Sequence, residues 1–201
     1  MITKEAGNKY PLNELIRKRW SPVGFSSREI EPEKIQSMFE AARWAPSSYN
    51  EQPWSFIFAT KQNESVYNKI LECLFDGNTP WAKNAPLLIL GITSEVFSRN
   101  EKPNNHAEYD LGQAVANLSI QATADGLFLH QMAGFDPAKA KELFEVPDNH
   151  KVVVAVAAGY LAEEKDLPEA FAARDSGERK RKDLAEFVFS GNFGKKSDLF
   201  K

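Results

Sequence analysis

Three short segments of this chain gather residue types that bind charged or polar ligands. The first, Arg17-Lys18-Arg19-Trp20-Ser21-Pro22-Val23-Gly24-Phe25, sets cations and a hydroxyl where a helix end breaks into a turn. Such a group suits an anion, because a guanidinium donates planar, charge-assisted hydrogen bonds. The second, Ala45-Pro46-Ser47-Ser48-Tyr49-Asn50-Glu51-Gln52-Pro53-Trp54, brackets hydroxyls and amides between two prolines. A rigid loop of that composition suits a planar ring with several acceptor atoms. The third, Glu178-Arg179-Lys180-Arg181-Lys182-Asp183-Leu184, is a basic run. Taken singly, each has an ordinary counterpart in a solvated helix end, a surface loop and a solvated charge run.

Other chemistries find no support. No two glycines form GxG, and there is no GxxxxGK[ST] or GxSxG, so the dinucleotide, P-loop and nucleophile-elbow signatures are all missing. His106, His130 and His150 lie far apart, and neither HExxH nor CxxC occurs, which leaves a metal site unsupported. The single cysteine, Cys73, falls between apolar neighbours on a helical face and reads as a small buried hydrophobe. No side chain is therefore singled out as a catalytic nucleophile. An enzyme of this sequence would rely on a bound cofactor for its chemistry.

The elements that must position these segments follow from periodicity. Leu12, Leu15 and Ile16 predict a short amphipathic helix ending near Arg19. A second helix opens at Pro32, turns Ile35, Met38, Phe39 and Ala42 inward, and stops before Pro46. Ser55 to Thr60 predicts a strand with Phe56 and Phe58 on one face and Ile57 on the other. Val66, Ile70 and Leu74 mark a third helix, and Pro86 to Ile92 a buried strand. A long helix runs from Leu111 to Ala122 and ends at Gly126. Leu127 to Gln131 reads as a short strand, Asp136-Pro137 as a capped helix start, and Val152 to Ala158 as a strand buried on both faces. Helices and strands interleave irregularly, which predicts an α+β fold with helices covering a central sheet.

The set resembles the FMN-dependent nitroreductase family. That family has a first motif like RRWSPRxF, a second like APSxxNxQPW, and a C-terminal K/R-x-R followed by leucine. The resemblance runs from about Leu12 to Val188 and includes Asp110-Leu111-Gly112, Asn117-Leu118, Gly126-Leu127 and Met132-Ala133-Gly134-Phe135. It implies a nitroreductase-like fold with a mostly antiparallel sheet, and an intertwined homodimer with FMN at the subunit interface. It implies one FMN-binding domain over residues 1–201, whose C-terminal arm, about 184–201, packs on the partner subunit. By position, Arg19 and Ser21 match phosphate and ribityl contacts, Trp20 contributes backbone, and Arg179 and Arg181 match a phosphate clamp. Pro46, Ser47, Ser48 and Asn50 match a loop laid on the partner's flavin ring. Asn78 matches an asparagine near the ribityl chain and ring, and Met132, Ala133 and Gly134 a segment whose backbone faces the ring edge. Val23 stands where many members carry a cation near the flavin, so the resemblance implies a less stabilised reduced flavin unless Lys83 or Arg43 supplies the charge. The implied activity is ping-pong transfer of hydride from NADH or NADPH, through the flavin, to a nitroaromatic, a quinone or a related small-molecule acceptor. The same scaffold also serves dehalogenation and enone reduction. Acceptor choice is expected to rest with the segments Phe75 to Lys83 and Phe97 to His106, and Trp81 and Phe135 are expected in the core rather than the acceptor pocket.

Composition agrees with this picture. Of 201 residues, 42% are hydrophobic and 26% charged, the balance of a globular domain. A net charge of −3 gives no overall attraction to nucleic acid or an anionic membrane surface. No apolar run in the sequence approaches a membrane span or a secretory signal, and the lone cysteine fits a reducing compartment, so a cytoplasmic protein is expected. The competing class is a flavin-binding module that stores or senses FMN without turnover.

Overall fold

Strands β2 (Leu87–Ser94) and β4 (His150–Gly159) form the centre of the molecule, flanked by β1 (Trp54–Thr60) and β3 (Phe128–Met132). In this computed structural model, which describes residues 2 and 4–200, the strand order is β1-β2-β4-β3 and every pairing is antiparallel. β2 is buried from Leu87 to Thr93 because it meets apolar layers on both faces. Leu88, Leu90 and Ile92 face one layer and Leu87 and Ile89 the other, as a two-residue side-chain period requires. Each such buried side chain contributes about 1.5–3 kcal/mol, so truncating Leu90 to alanine would cost at least that much.

A bulge interrupts the β2–β4 pairing: Gly91 pairs with Val154 and Ile92 with Val152, leaving Val153 without a partner. The extra residue resets the alternation, so Val152 and Ala155 share a layer despite their odd spacing. Gly91 is needed there, because a Cβ would stand 2.7 Å from Val154 Cγ1.

Helices α2 (Pro32–Arg43) and α5 (Ala107–Ala124) cover one face of the sheet, through Ile35, Met38 and Ala42 and through Leu111, Ala114, Val115, Leu118 and Ala122. The other face is covered by α3 (Glu64–Glu72), α4 (Thr79–Ala82) and α6 (Pro137–Leu143), with Tyr67, Ile70, Trp81 and Ala140 inward. Asp136 caps α6 by accepting from the amides of Ala138 and Lys139, as its sequence position predicts. α5 ends at Gly126, at φ 75°, where the amides of Gly126 and Leu127 return to the carbonyls of Thr123 and Ala122. This pairing of the last carbonyls is why a glycine stands there.

Several expectations shift in detail. α3 stops at Glu72, and Leu74 lies in the following turn, bridged to Phe135. Cys73 caps that helix, buried, with its thiol pushed up by burial. Helix α1 (Glu14–Lys18) forms as the pattern predicts, but it buries nothing, and Leu12 and Ile16 stay exposed. A further helix, α7 (Glu169–Ser176), follows β4 and leads to an irregular C-terminal segment containing a single 3-10 turn at Leu184–Glu186.

Candidate functional site

Arg19 follows α1 directly, where the backbone turns from helical to extended. Its half-buried guanidinium donates to Ser21 Oγ at 3.4 Å. The basic run crosses the same helix end: Arg179 Nη1 donates to the carbonyls of Lys4 at 2.8 Å and Arg17 at 3.1 Å. Arg181 reaches only the neighbouring carbonyl of Lys180. Burial, and then the nearby Arg179 and Arg181, push the Arg19 guanidinium below its usual range, and burial and Arg181 do the same to Arg179. Among the described residues no carboxylate forms an ion pair with any of the three, whereas Arg17 is paired with Glu5. Three guanidiniums are thus held together against their mutual repulsion, beside a hydroxyl. Residues 6–12 and 178–185, Arg179 and Arg181 among them, line an adjoining cleft of about 780 Å³.

The turn after Arg19 is clamped from below. Trp20 is buried, its ring 5.9 Å from that of Phe128. His130 Nδ1 lies 2.7 Å from the carbonyl of Pro22, so Nδ1 carries the proton that bonds it. Burial lowers the pKa of this imidazole; Arg174 adds to the shift while the Pro22 carbonyl and Asp175 oppose it. The amides of Val23 and Gly24 donate to the buried carboxylate of Asp175, at 3.0 Å to Oδ1 and 2.8 Å to Oδ2 respectively. One peptide unit, Pro22–Val23, is therefore held by its oxygen and by its nitrogen. A Cβ at Gly24 would stand 2.5 Å from Leu167 Cδ1 and 2.9 Å from Asp175 Oδ2, so a side chain there would push on the carboxylate that holds the turn.

In this clamp the Val23 side chain has no exposed surface and belongs to the core, and its amide donates to Asp175. Arg43, one of two alternatives for the missing charge, is occupied by Glu40 through two hydrogen bonds. Trp81 and Phe135 are core residues, as expected, and the Trp81 ring lies tilted against His130 with ring centroids 4.4 Å apart.

Asn78 and the 132–134 segment, distant in sequence, meet. Asn78 Nδ2 donates to the Gly134 carbonyl at 2.9 Å, and the amide of Phe75 reaches the same oxygen at 3.1 Å. A Cβ at Gly134 would stand 2.6 Å from Asn78 Nδ2. Met132 buries its side chain, while Ala133 is exposed and Gly134 half-buried, which leaves backbone at the surface.

The Pro46–Asn50 loop stands apart. The Ser48 amide donates to Asp110 Oδ2 of α5 at 3.0 Å, and Ser47 Oγ accepts from the Gln52 amide at 3.0 Å. Asn50 contributes its carbonyl, which accepts from Gln52 Nε2, and Pro46 is exposed. Among the described residues no hydrogen bond or ion pair joins this loop to the arginine cluster or to the Asn78–Gly134 contact. This chain anchors the loop on α5 and the arginine cluster at the end of α1. Sequence reasoning quoted Asp110 in the family stretch without giving it a role and did not single out His130 or Asp175, because these roles arise from contacts between distant segments.

Among the described residues no group of three histidine, cysteine or carboxylate side chains could hold a metal, and no helix is long and apolar enough to cross a membrane. A profile of the nitroreductase family matches residues 16–160. A protein of Archaeoglobus fulgidus, described as a candidate NADH dehydrogenase/NAD(P)H nitroreductase, is 30% identical over 161 residues, 78% of this chain and 89% of that one. The crystal structure of an oxidoreductase containing FMN superposes with a TM-score of 0.87 at 34% identity, covering 98% of this chain and 100% of the other. A nitroreductase family protein from Clostridium difficile 630 superposes with a TM-score of 0.72 at 26% identity, covering 90% and 98%.

Proposed function

The chain belongs to the nitroreductase family, and from that membership we propose that it is an FMN-dependent oxidoreductase that takes electrons from NADH or NADPH and passes them to a small organic acceptor. The observation that carries this reading is the cluster of Arg19, Arg179 and Arg181 beside Ser21, three cations with no carboxylate partner among the described residues. A phosphate monoester brings about −1.5 to −2 charges and three acceptor oxygens, which is what such a cluster lacks. The neighbouring similarity to an FMN-containing oxidoreductase supports FMN as the group that carries the phosphate.

In this reading Arg19, Arg179 and Arg181 hold the phosphate, Ser21 and the Trp20 backbone meet the ribityl chain, and Asn78 with the 132–134 backbone lies along the ring. FMN, when bound, supplies the two-electron chemistry between nicotinamide and acceptor. The chain supplies position and field: the turn clamped by Asp175 and His130 fixes Arg19 and Ser21 before the ligand arrives, which spares part of the ordering cost of binding. Pro46, Ser47, Ser48 and Asn50 serve the flavin of a second subunit, because they are tied to α5 rather than to this chain's arginines. Residues 1–201 act as one domain, and the arm from about 184 packs on that subunit. Nitroaromatics and quinones are the acceptor classes that this scaffold suits.

The absorbance spectrum of the purified protein tests the reading. Flavin bands are expected, with FMN released on denaturation, and the loaded protein should oxidise NAD(P)H when a quinone is added. A protein that stays colourless after incubation with FMN would sink the proposal. Flavin bands without turnover would make it a storage or sensing module.

A further inference from the structure

The tip of the Pro46–Asn50 loop is built at a cost that its own chain does not recover. Tyr49, Asn50 and Gln52 stand at φ 54°, 57° and 51°, in the left-handed region that L side chains adopt only under constraint. For a residue as bulky as tyrosine this is an outlier, and glycine would fit the backbone better. The strain is held from outside by the bonds of Ser48 to Asp110, of Gln52 to Ser47, and of Ser98 to Glu51 Oε1 at 2.6 Å.

That expense presents an aromatic ring to solvent. Tyr49 is 75% exposed, and two side chains of the 95–104 loop lie against it. The Phe97 ring meets it edge-on at 6.0 Å, and the Arg99 guanidinium lies 4.1 Å from its centroid. A guanidinium lying on a ring turns its N–H donors outward along the ring plane, where a planar anion can take two at once. Glu51 is close enough to feel Arg99, and its carboxylate is held below the usual range first by Ser98 and last by Arg99. Its hydrogen bond goes to the Ser98 amide, and among the described residues Arg99 is in no ion pair. The charge of Arg99 is thus left for something else.

We propose that Tyr49, Phe97 and Arg99 form the recognition site for the anionic group of an aromatic electron acceptor, so that aromatic carboxylates are preferred over their neutral analogues. The site rests on the reading that the Pro46–Asn50 loop covers a flavin of a second copy. The reaction it would serve is balanced: a nitroarene takes two electrons and two protons from NAD(P)H and solvent, becomes a nitrosoarene and releases one water.

The test compares kcat/KM for 4-nitrobenzoate and 4-nitrobenzamide with the FMN-loaded protein, and measures the Kd of non-reducible benzoate by the change in flavin absorbance. The anionic acceptor should be favoured about tenfold at low salt, the effect of one partly exposed charged hydrogen bond. Raising the salt should shrink the preference. In R99Q the ratio should fall to about one and the benzoate Kd should rise about tenfold; in R99K, which keeps the charge but loses the stacking, both should be intermediate. R99E should reverse the preference. The 2′-phosphate of NADPH offers the same anionic chemistry, so NADH and NADPH are compared in parallel. A ratio equal in wild type and R99Q overturns the site, and so does a charge effect confined to NADPH. Reduction of both acceptors equally well, or of neither while a quinone is still reduced, sinks only this proposal, whereas failure with the quinone as well sinks the oxidoreductase reading and this site with it.

Discussion

Arg19 is a costly residue to keep beside Arg179 and Arg181, because burial and two like charges both work against its cationic form. A bound phosphate would turn that repulsion into attraction. Replacing Arg179 and Arg181 together by alanine should therefore weaken FMN binding by about 1.5–3 kcal/mol for each arginine, read as a Kd by fluorescence quenching. Part of the Arg179 effect would come from α1, since this side chain also ties the carbonyls of Lys4 and Arg17. Arg181 bonds only its neighbour's carbonyl, so R181A alone isolates the contribution of charge. A double variant that purifies fully loaded would show that the phosphate lies elsewhere. The arginines were legible in the sequence because cations collected in short runs are visible without a fold. Val23 is the complementary case: its place in a motif was readable, but its orientation into the core was not.

Among the elements, α7 has the largest effect for the weakest signal. Its eight residues show little amphipathic pattern, and its one buried residue, Asp175, finds its partners 151 and 152 positions away. Nothing local announces such a contact. Strands β2 and β4, in contrast, were legible from unbroken apolar runs, although the bulge at Val153 depends on their pairing and was not. α4 escaped notice because four residues carry too little periodicity. Asp175→Ala leaves the Val23 and Gly24 amides buried without an acceptor. It should destabilise the apoprotein by about 2–5 kcal/mol in a denaturant titration, the usual cost of unpaired buried groups. FMN affinity should fall with it, because the turn carrying Ser21 loosens. Asp175→Asn keeps one acceptor oxygen and should restore part of both. Stability of D175A within about 0.5 kcal/mol of wild type would mean that the turn holds itself.

For the molecule as a whole, the apolar surface left on one chain is the telling quantity. Leu12, Ile16, Phe187, Phe193 and Leu199 are all exposed, and Phe193 is 97% so. They lie on or just before α1 and on the C-terminal segment, the parts that find no core in their own chain. A pair of such surfaces brought together would make the large apolar interface of an obligate dimer. Light scattering of the FMN-loaded protein should give twice the 22.6 kDa of one chain, and a loaded monomer would contradict the proposed assembly.

In the proposed dimer each site takes its arginines from one subunit and its Pro46–Asn50 loop from the other, which has a genetic consequence. Consider one chain lacking Arg179 and Arg181, and another whose Pro46–Asn50 loop is replaced by glycines. Each pairs with itself to give two damaged sites. Co-refolded, they also form heterodimers, in which one site collects both lesions and the other collects none. Roughly a quarter of all sites should then be restored, an intragenic complementation between two inactive proteins. Were each site built within a single chain, the mixture would stay as dead as its components.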